Sequence, residues 1–299
     1  MTTLIADSGS TKTDWGLVDA SGQIQSTHKT QGINPFHLSD DGIRQILAQE
    51  LSLSESPTRV FFYGSGVTES MKPRMEHLLL GQFPQAEVHA ESDLLGAARA
   101  LLGHGPGIAC ILGTGANSCL YDGERILLNT PPLGYILGDE GSGAALGKMF
   151  LNGIFKGRLP ETLKQEYLSW SGLDYSSIID KVYRQPLANR YLASIAPFMS
   201  MQIDKAGEPA NSGTSRQHAE ALCKMVVEAF EQFYQRNITP YFSSVSSPQW
   251  VSSLHVAFVG SIAHYFEQPL RLVFEQKHHL SVAEIQQAPM DGLVRYHLL

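Results

Sequence analysis

The sequence predicts an α/β protein of two domains, and three observations support this. Its 299 residues favour two domains and are ample for a sizeable core. A Gly- and Pro-rich segment, residues 103–107, interrupts the pattern of strands and helices. The chain opens with a strand, a tip of small residues and a return strand over residues 4–19, and this pattern recurs directly after the break at residues 108–121. We therefore expect one domain over residues 1–106 and a second over 107–299.

The first hairpin has a tip suited to phosphate. The apolar strand Leu4–Ala6 runs into Asp7, and a tip of small and hydroxylated residues follows. Small side chains let a bound group reach the backbone, whose N–H groups can point at phosphate oxygens. Asp7 is placed to hold Mg²⁺, usually through water, and Lys12 offers a positive charge. The tip is not a Walker A loop, because Lys12 is followed by a strand. A plain Gly/Ser turn fits this tip about as well as a phosphate-binding loop does. A second hairpin of the same kind, described below, favours the phosphate-binding loop.

Strands and helices alternate through the rest of the first domain. Periodicity predicts strands at 26–30, 58–63 and 86–90 and helices at 40–51, 71–80 and 94–102. Asn34, extended before Pro35, is either an Asx-turn residue or a hydrogen-bonding group for a sugar hydroxyl. Asp93, at a strand-to-helix junction, is either a helix cap or an acid that takes a proton from a substrate hydroxyl.

The second domain repeats the phosphate-type hairpin with the tip Gly113–Asn117. Two such tips facing each other could bind a polyphosphate from both sides. The pair of tips supports this inference more strongly than either tip does alone. In residues 134–143, Asp139 and Glu140 lie among four glycines. They are either carboxylates that cap the following helix or contacts for a ligand or a metal.

A helical insertion follows over about 144–237, with helices near 144–156, 161–170, 174–184, 189–204 and 215–237. In it, His218 is expected on a solvated face. After a strand at 254–259, Gly260 and Ser261 mark either a nucleotide base or ribose site or a close packing contact. A helix is predicted next, over 264–274. A last strand at 280–285 precedes a closing helix at 290–297, which we expect to pack back on the first domain.

Composition narrows the class of protein. Apolar residues make up 43% and charged residues 17% of the chain, as in ordinary globular proteins. The net charge of −7 argues against a general nucleic-acid or anionic-membrane binder. Neither a leader pattern nor a membrane-length apolar run is evident. The three cysteines have no metal-like spacing. We expect them to be reduced, with Cys110 and Cys119 buried, in a cytoplasmic protein.

Taken together, the motifs resemble those of a known family. Residues 7–13, DSGSTKT, are similar to a D-G-G-G-T-K-T phosphate loop, and residues 111–118 to a second loop with G-T-G-S-N. Residues 134–143 are similar to a G-W-G-x-x-x-G-D-E-G-S segment, and residues 259–262 to an adenosine motif. These are motifs of the BadF/BadG/BcrA/BcrD-type ATPases and the related N-acetylglucosamine kinases, in the actin-like sugar kinase superfamily. The departures are Ser8 and Ser10 for glycine, Tyr135 for Trp, and Ser261 for a second glycine.

The resemblance implies two RNase H-like (actin-like ATPase) domains around a nucleotide cleft, with ATP and Mg²⁺ bound. It implies that Asp7 holds the metal and that Asp93 is the catalytic base for the 6-hydroxyl of an amino sugar. The nucleotide-binding residues it implies are Ser8, Gly9, Ser10, Thr11, Lys12, Gly113, Thr114, Gly115, Gly260 and Ser261. The sugar-binding residues it implies are Asn34, Asp93, Thr114, Asn117 and Asp139.

Three functions remain open at this point. The first is an ATP-dependent kinase of N-acetylglucosamine or a relative such as glucosamine or N-acetylmuramate, expected as a homodimer. The second is an ATPase that activates a partner enzyme, although the cysteines do not suggest the iron–sulfur cluster of such activators. The third is a sugar sensor without catalysis, which nothing favours since Asp7, Lys12 and Asp93 are all present.

Overall fold

A computed structural model of the protein describes residues 2–9, 11–205, 213–244 and 254–298. Ser10 lies outside these residues, as do residues 206–212 and 245–253. The chain divides into unit 1 (Met1–Ala109, Cys119–Leu127 and Ala288–Leu299) and unit 2 (Cys110–Ser118 and Leu128–Gln287). No helix within the described ranges is long and apolar enough to cross a membrane. The predicted domain bounds stay a prediction.

The first five-stranded sheet has the order β3-β2-β1-β4-β5. Its strands are β1 (Thr3–Ser8), β2 (Lys12–Val18), β3 (Ile24–Gln31), β4 (Arg59–Gly64) and β5 (Glu87–Ser92). Strands β1, β2 and β3 pair antiparallel, whereas β1, β4 and β5 run parallel. The parallel strands therefore end at one edge of the sheet, with Ser8, Gly64 and Ser92 in register there.

Helices cover both faces of this sheet. They are α1 (Asp40–Gln49), α2 (Lys72–Gln82), α3 (Asp93–Leu102) and the C-terminal helix (Met290–Leu298). Since alternate strand residues face opposite sides, Leu4 and Ala6 pack in the core formed with α1 and α2. Ile5 packs on the other side with Ala100 of α3 and Leu293 of the C-terminal helix. Because helices pack on both faces of the sheet, the ends of its strands are held in place.

The second five-stranded sheet has the order β10-β9-β6-β7-β8. Its strands are β6 (Gly107–Leu112), β7 (Ala116–Tyr121), β8 (Ile126–Asn129), β9 (Val256–Val259) and β10 (Val282–Gln286). Strands β9 and β10 are parallel, and all four residues of β9 are buried. The predicted α/β class is confirmed, and so is the burial of Cys110 and Cys119.

The helices of unit 2 lie mostly between β8 and β9 in the chain. They are α4 (Gly134–Leu137), α5 (Gly143–Phe155), α6 (Glu161–Ser171), α7 (Tyr175–Tyr183), α8 (Ala188–Ala193), α9 (Ala196–Asp204), α10 (Gly213–Phe233), α11 (Thr239–Ser244), α12 (Ser261–Tyr265) and α13 (Glu267–Arg271). Two π-helical turns, Tyr234–Ile238 and Leu272–Lys277, continue α10 and α13.

Several local predictions in unit 2 were wrong. The helix predicted over 189–204 is two helices, because Pro197 lacks a backbone N–H and begins α9 in its first turn. The helix predicted from His264 begins earlier, at Ser261, and breaks before Glu267. His218 is buried rather than solvated, since its Nε2 lies 2.7 Å from the hydroxyl of Thr162. Burial of a polar ring depends on such a partner, which helical periodicity does not reveal.

Candidate active site

Three carboxylates belong to the edge of unit 1 where the parallel strands end. Asp7 is next to last in β1, Asp14 pairs with it across the hairpin, and Asp93 begins α3 directly after β5. Asp7 and Asp93 are half-buried. The charge of Asp93 contributes to raising the pKa of Asp7, so the two groups interact. The strand order thus brings together two residues that lie 86 positions apart in the sequence.

Asp93 does not cap its helix. Ser92 is the N-cap of α3, and its hydroxyl accepts a hydrogen bond from Leu95 N at 3.2 Å. Asp93 Oδ1 accepts a hydrogen bond from Leu94 N at 2.9 Å. Burial raises the pKa of Asp93 to about 6, against the lowering effect of the Leu94 N–H. A carboxylate with this pKa is suited to act as a general base near neutral pH.

The ionised form of Asp7 is unfavourable in this environment. Burial, followed by the charges of Asp93 and Asp14, raises the pKa of Asp7 to about 7, although Lys12 opposes this rise. Within the described residues the Asp7 carboxylate forms no hydrogen bond. A divalent cation would relieve this repulsion, so the residues fit Mg²⁺. No group of three or more His, Cys, Asp or Glu side chains forms a metal site in the described residues. Mg²⁺ commonly needs only one or two carboxylates beside substrate phosphates.

The first tip is open to a ligand at its outer residues. Gly9 N donates to Lys12 O at 3.0 Å and closes the turn. A methyl group added at Gly9 would approach nothing closer than Lys12 O at 3.9 Å. Thr11 and Lys12 are exposed, and Lys12 Nζ lies 2.5 Å from Asp14 Oδ2. This leaves room for phosphate oxygens beside backbone N–H groups and one ammonium.

Ser8 is turned inward. Its hydroxyl oxygen lies 2.7 Å from Thr13 Oγ1, 2.9 Å from Ile33 N and 3.0 Å from Ile33 O. The Ser8 side chain is fully buried. Its backbone oxygen accepts from Ser65 N at 2.9 Å. The Ser8 hydroxyl therefore holds neighbouring loops, and any contact of Ser8 with a nucleotide would come from its backbone.

Asn34 has the geometry of an Asx turn. Its Oδ1 accepts from Phe36 N at 2.9 Å, and its backbone oxygen accepts from His37 N and Leu38 N at 3.0 Å each. The side chain lies against Gly66, just beyond the end of β4. The turn does not exclude a ligand contact, because the Asn34 Nδ2 group has no hydrogen bond to a described residue. Asn34 thus belongs to the same sheet edge as Asp7 and Asp93.

Gly66 allows this position of Asn34, and its replacement provides a test. Its φ is +82°, and a methyl group added there would lie 2.3 Å from Asn34 Oδ1. We expect Gly66→Ala to displace the Asn34 amide and to destabilise the fold by about 1–2 kcal/mol from backbone strain. Urea unfolding would measure the loss. Gly81→Ala is the control, since nothing lies within 4 Å of a methyl group there. Equal stability of the two variants would contradict this description of Gly66.

In unit 2, the second tip is docked on the start of α5. Gly113 O accepts from Gly143 N at 2.8 Å, and Thr114 O accepts from Ala144 N at 3.1 Å. Gly113 N donates to Gly115 O at 2.9 Å, which makes the turn tight. Nothing lies within 4 Å of a methyl group added at Gly113. Like the first tip, this one presents open space at a glycine.

Asp139 is joined to the second tip. Its Oδ1 accepts from Ala116 N at 3.2 Å, and its carboxylate lies against Gly115. Burial raises the pKa of Asp139, although the Ala116 N–H opposes the rise. Its φ of +55° is uncommon for a non-glycine residue and often marks a constrained functional loop. Asn117 Oδ1 accepts from Asn129 Nδ2 at 2.9 Å.

Glu140 is held separately from Asp139. Its two carboxylate oxygens accept from Arg236 Nη1 at 2.8 Å and from Asn237 Nδ2 at 3.3 Å. Both donors lie on the π-helical turn that continues α10. These hydrogen bonds lower the pKa of Glu140 against the opposing effect of burial. Glu140 therefore anchors the loop, whereas Asp139 faces the tip.

Gly260 brings the end of β9 onto the second tip. A methyl group added there would lie 2.3 Å from Leu112 O and 3.2 Å from Gly113 N, and its φ is +127°. Half-buried Ser261 follows as the first residue of α12. Unit 2 thus brings together four predicted regions: the tip, Asp139, Gly260 and Ser261. The close approach of Gly260 to Leu112 shows the packing contact, and the nucleotide contact at Gly260 stays a prediction.

Replacing Gly260 tests how strictly this contact excludes a side chain. We expect Gly260→Ala to destabilise the protein by about 3 kcal/mol or more, because backbone strain adds to a clash with Leu112 O. Gly113→Ala should change stability little, since that position is open. Chemical denaturation of both variants would measure the difference. A Gly260→Ala protein as stable as Gly113→Ala would show that β6 and α12 shift apart easily.

Sequence reasoning missed two residues at the edge of unit 1. Asp14 pairs with Lys12 and acts on the pKa of Asp7. A register count across the hairpin was the signal that could have found it. Arg74, on α2, contacts the loop that carries Asn34. No sequence pattern marks that contact, because its partners are backbone oxygens.

Several solved structures are similar to this chain over nearly its whole length. A candidate N-acetylglucosamine kinase from Porphyromonas gingivalis is 39% identical, with 99% of this chain and 98% of that chain covered at a TM-score of 0.87. A candidate N-acetylglucosamine kinase from Chromobacterium violaceum is 18% identical, with 99% and 98% covered at a TM-score of 0.66. A glucokinase of the ROK family from Streptomyces griseus, in complex with glucose and AMPPNP, is 16% identical, with 98% and 97% covered at a TM-score of 0.55. No protein-family model and no curated protein matches the chain.

The fold is therefore that of the actin-like ATPases, with an RNase H-like domain around each five-stranded sheet. The chain belongs to the N-acetylglucosamine kinase-like family, among the BadF/BadG/BcrA/BcrD-type proteins of the actin-like sugar kinase superfamily. The resemblance found in the motifs is confirmed.

Proposed function

We propose that this protein is an ATP-dependent kinase that phosphorylates the 6-hydroxyl of an amino sugar, N-acetylglucosamine or a close relative. Asp93 supports the proposal most directly. It is a half-buried carboxylate freed from helix capping by Ser92, with a pKa raised to about 6. The likeness over the full chain to a candidate N-acetylglucosamine kinase supports the substrate class.

In the proposed reaction, Asp93 accepts the proton of the sugar 6-hydroxyl as that oxygen bonds to the γ-phosphorus of ATP. The bond from the γ-phosphorus to the bridging oxygen breaks, and ADP leaves. The proton then passes from Asp93 to solvent. Phosphoryl transfer requires mainly alignment of the reactants and electrostatic stabilisation. A raised carboxyl pKa makes Asp93 a stronger base while it stays mostly ionised at neutral pH.

The remaining residues are assigned to binding. Asp7 would hold Mg²⁺, which when bound neutralises charge on the phosphates. Lys12, Thr11 and the backbone of Ser8–Ser10 in unit 1 are proposed to bind ATP. In unit 2, Gly113, Thr114, Gly115, Gly260 and Ser261 are proposed for the same ligand. Asn34, Thr114, Asn117 and Asp139 are proposed to bind the sugar.

The test is ADP release from purified protein with Mg-ATP. The panel holds N-acetylglucosamine, glucosamine, N-acetylmuramate, glucose and no sugar. Release that depends on one amino sugar, with mass spectrometry and NMR identifying a 6-phosphate, would support the proposal. Slow release that is indifferent to every sugar would contradict it.

Sugar-independent release would favour the second candidate, an ATPase that activates a partner enzyme. The structure gives that candidate little support, because Cys110 and Cys119 are fully buried and unsuited to a shared surface cluster. The cytoplasmic location and the homodimer expected from the resemblance stay predictions. Light scattering during size-exclusion chromatography would test the dimer.

A further inference from the structure

The loop that carries Asn34 is held from two directions. This loop, residues 32–38, is called the Asn34 loop below. On one side Ser8 Oγ contacts both Ile33 N at 2.9 Å and Ile33 O at 3.0 Å. On the other side Arg74 reaches it from α2. Asn34 thus lies between two anchors that come from separate elements.

Arg74 uses its whole guanidinium group on this loop and on the helix after it. Nη1 donates to Pro35 O, and Nη2 donates to Leu38 O at 2.9 Å. Nε donates to Asp40 Oδ1 at 2.7 Å, in the first turn of α1. The guanidinium is planar and rigid, so three fixed donors define the position of the backbone around it. A lysine could satisfy only part of this set.

The contacts of Arg74 bear directly on the Asn34 amide. Asn34 Oδ1 accepts from Phe36 N, which lies between the two carbonyl groups that Arg74 binds. A shift of residues 35–38 would therefore rotate the amide away from Gly66. The Arg74 side chain as a whole stays 30% accessible to solvent. Its hydrogen bonds go to the Asn34 loop and to Asp40 at the start of α1.

We propose that Arg74 is a positioning residue that sets the affinity for the sugar by holding the Asn34 loop in its binding conformation. This inference rests on the proposed function, in which Asn34 binds the sugar. Arg74 itself contacts neither the sugar nor the reacting atoms. Its effect should therefore fall on sugar binding and leave the chemical step and the nucleotide unaffected.

The test compares Arg74→Met with Arg44→Met. Arg44 also lies near Asp40, at 3.9 Å, and pairs with Asp41 at 3.0 Å, but no hydrogen bond joins it to the described residues of the Asn34 loop. We expect Arg74→Met to raise KM for the sugar about tenfold, as the loss of charged hydrogen bonds implies. We expect kcat and KM for ATP to stay within about twofold of wild type. Arg74→Lys should show a smaller rise, and Arg44→Met none.

Hydrogen–deuterium exchange of peptides spanning residues 32–40 provides a readout that needs no activity. Exchange there should speed up in Arg74→Met and not in Arg44→Met, while β1 peptides stay protected in both. Unchanged exchange, or a sugar KM equal to that of Arg44→Met, would overturn the inference. An equal loss in both KM values would also overturn it, since that indicates general destabilisation. Wild-type protein inactive on every sugar would instead overturn the proposed function and the sugar role of Arg74, while exchange still decides whether Arg74 holds the loop.

Discussion

Replacing Asp93 with asparagine is expected to lower kcat for sugar phosphorylation by about a thousandfold, within the range found for loss of a general base. Asparagine keeps an oxygen that can accept from Leu94 N, so α3 should begin as before. It removes only the ability to take the proton. ATP affinity should stay close to that of wild type, and so should sugar affinity, because the asparagine oxygen can still accept a hydrogen bond from the sugar 6-hydroxyl. Steady-state kinetics and calorimetric titration with an ATP analogue would measure the two effects.

Asp41→Asn is the control for this experiment. Asp41 also lies in the first turn of a helix, but its side chain is 96% exposed, and its replacement should leave kcat unchanged. If Asp93→Asn kept wild-type turnover, the assignment of the base would be wrong. If it lost ATP binding as well, Asp93 would belong to the nucleotide site instead.

The pH dependence of the wild-type enzyme follows from the same carboxylate. Asp93 accepts a proton only when it is ionised, and burial raises its pKa to about 6. kcat/KM should therefore rise with pH through about 6 and level off above it. The same profile for Asp93→Asn should lose this inflection. A wild-type profile that is flat from pH 5 to pH 8 would show that no group of this kind limits the reaction.

The amino-acid pattern predicts the strands of the site better than the contacts between them. Leu4–Ala6 and Ile108–Leu112 are apolar runs that end in small residues, and each forms a strand followed by a tip. The pairing of Asp7 with Asp14 depends on how many residues the tip uses, and composition alone does not fix this number. The break before Pro197 was readable in principle, whereas the burial of His218 was not.

Long-range contacts explain most of what the sequence did not show. Arg74 and Pro35 lie 39 residues apart, and the hydrogen bond between them exists because α2 packs beside the start of α1. In the sequence, Ser8 is indistinguishable from the other small residues of the tip. Its contact with Ile33 is seen only in the fold. Both contacts end on backbone atoms, which every residue type possesses. Sequence patterns therefore reveal the groups that act on a ligand more readily than those that position them.

Asp7→Asn is the second substitution for which we expect a large effect. It should lower activity and raise the stability of the metal-free protein. For activity, loss of the carboxylate proposed to hold Mg²⁺ should reduce ATP-dependent turnover about 100-fold or more and raise the Mg²⁺ concentration needed for half-maximal rate. A titration of rate against Mg²⁺ would measure both changes. Wild-type Mg²⁺ dependence in the variant would contradict the metal assignment.

For stability, the sign follows from the raised pKa. The pKa of Asp7 is about 7 in the folded protein, above its usual value of 3.8. Between these values the folded state binds more protons than the unfolded state, so the free energy of unfolding falls as pH rises. Asparagine carries no charge and avoids this loss. Without Mg²⁺, Asp7→Asn should therefore be more stable than wild type at pH 8, by on the order of 2 kcal/mol, and the difference should shrink toward pH 4.

Asp19→Asn provides a comparison of opposite sign. Hydrogen bonds from Ser21 lower the pKa of Asp19, so its carboxylate stabilises the fold at neutral pH, and its replacement should reduce stability there. Urea unfolding of the three metal-free proteins at pH 8 and pH 4 would measure these differences. If Asp7→Asn were less stable than wild type at pH 8, the Asp7 carboxylate would stabilise the fold, and the sign predicted here would be wrong. A metal-binding role for Asp7 implies both effects: its charge lowers the stability of the metal-free fold, and activity depends on it.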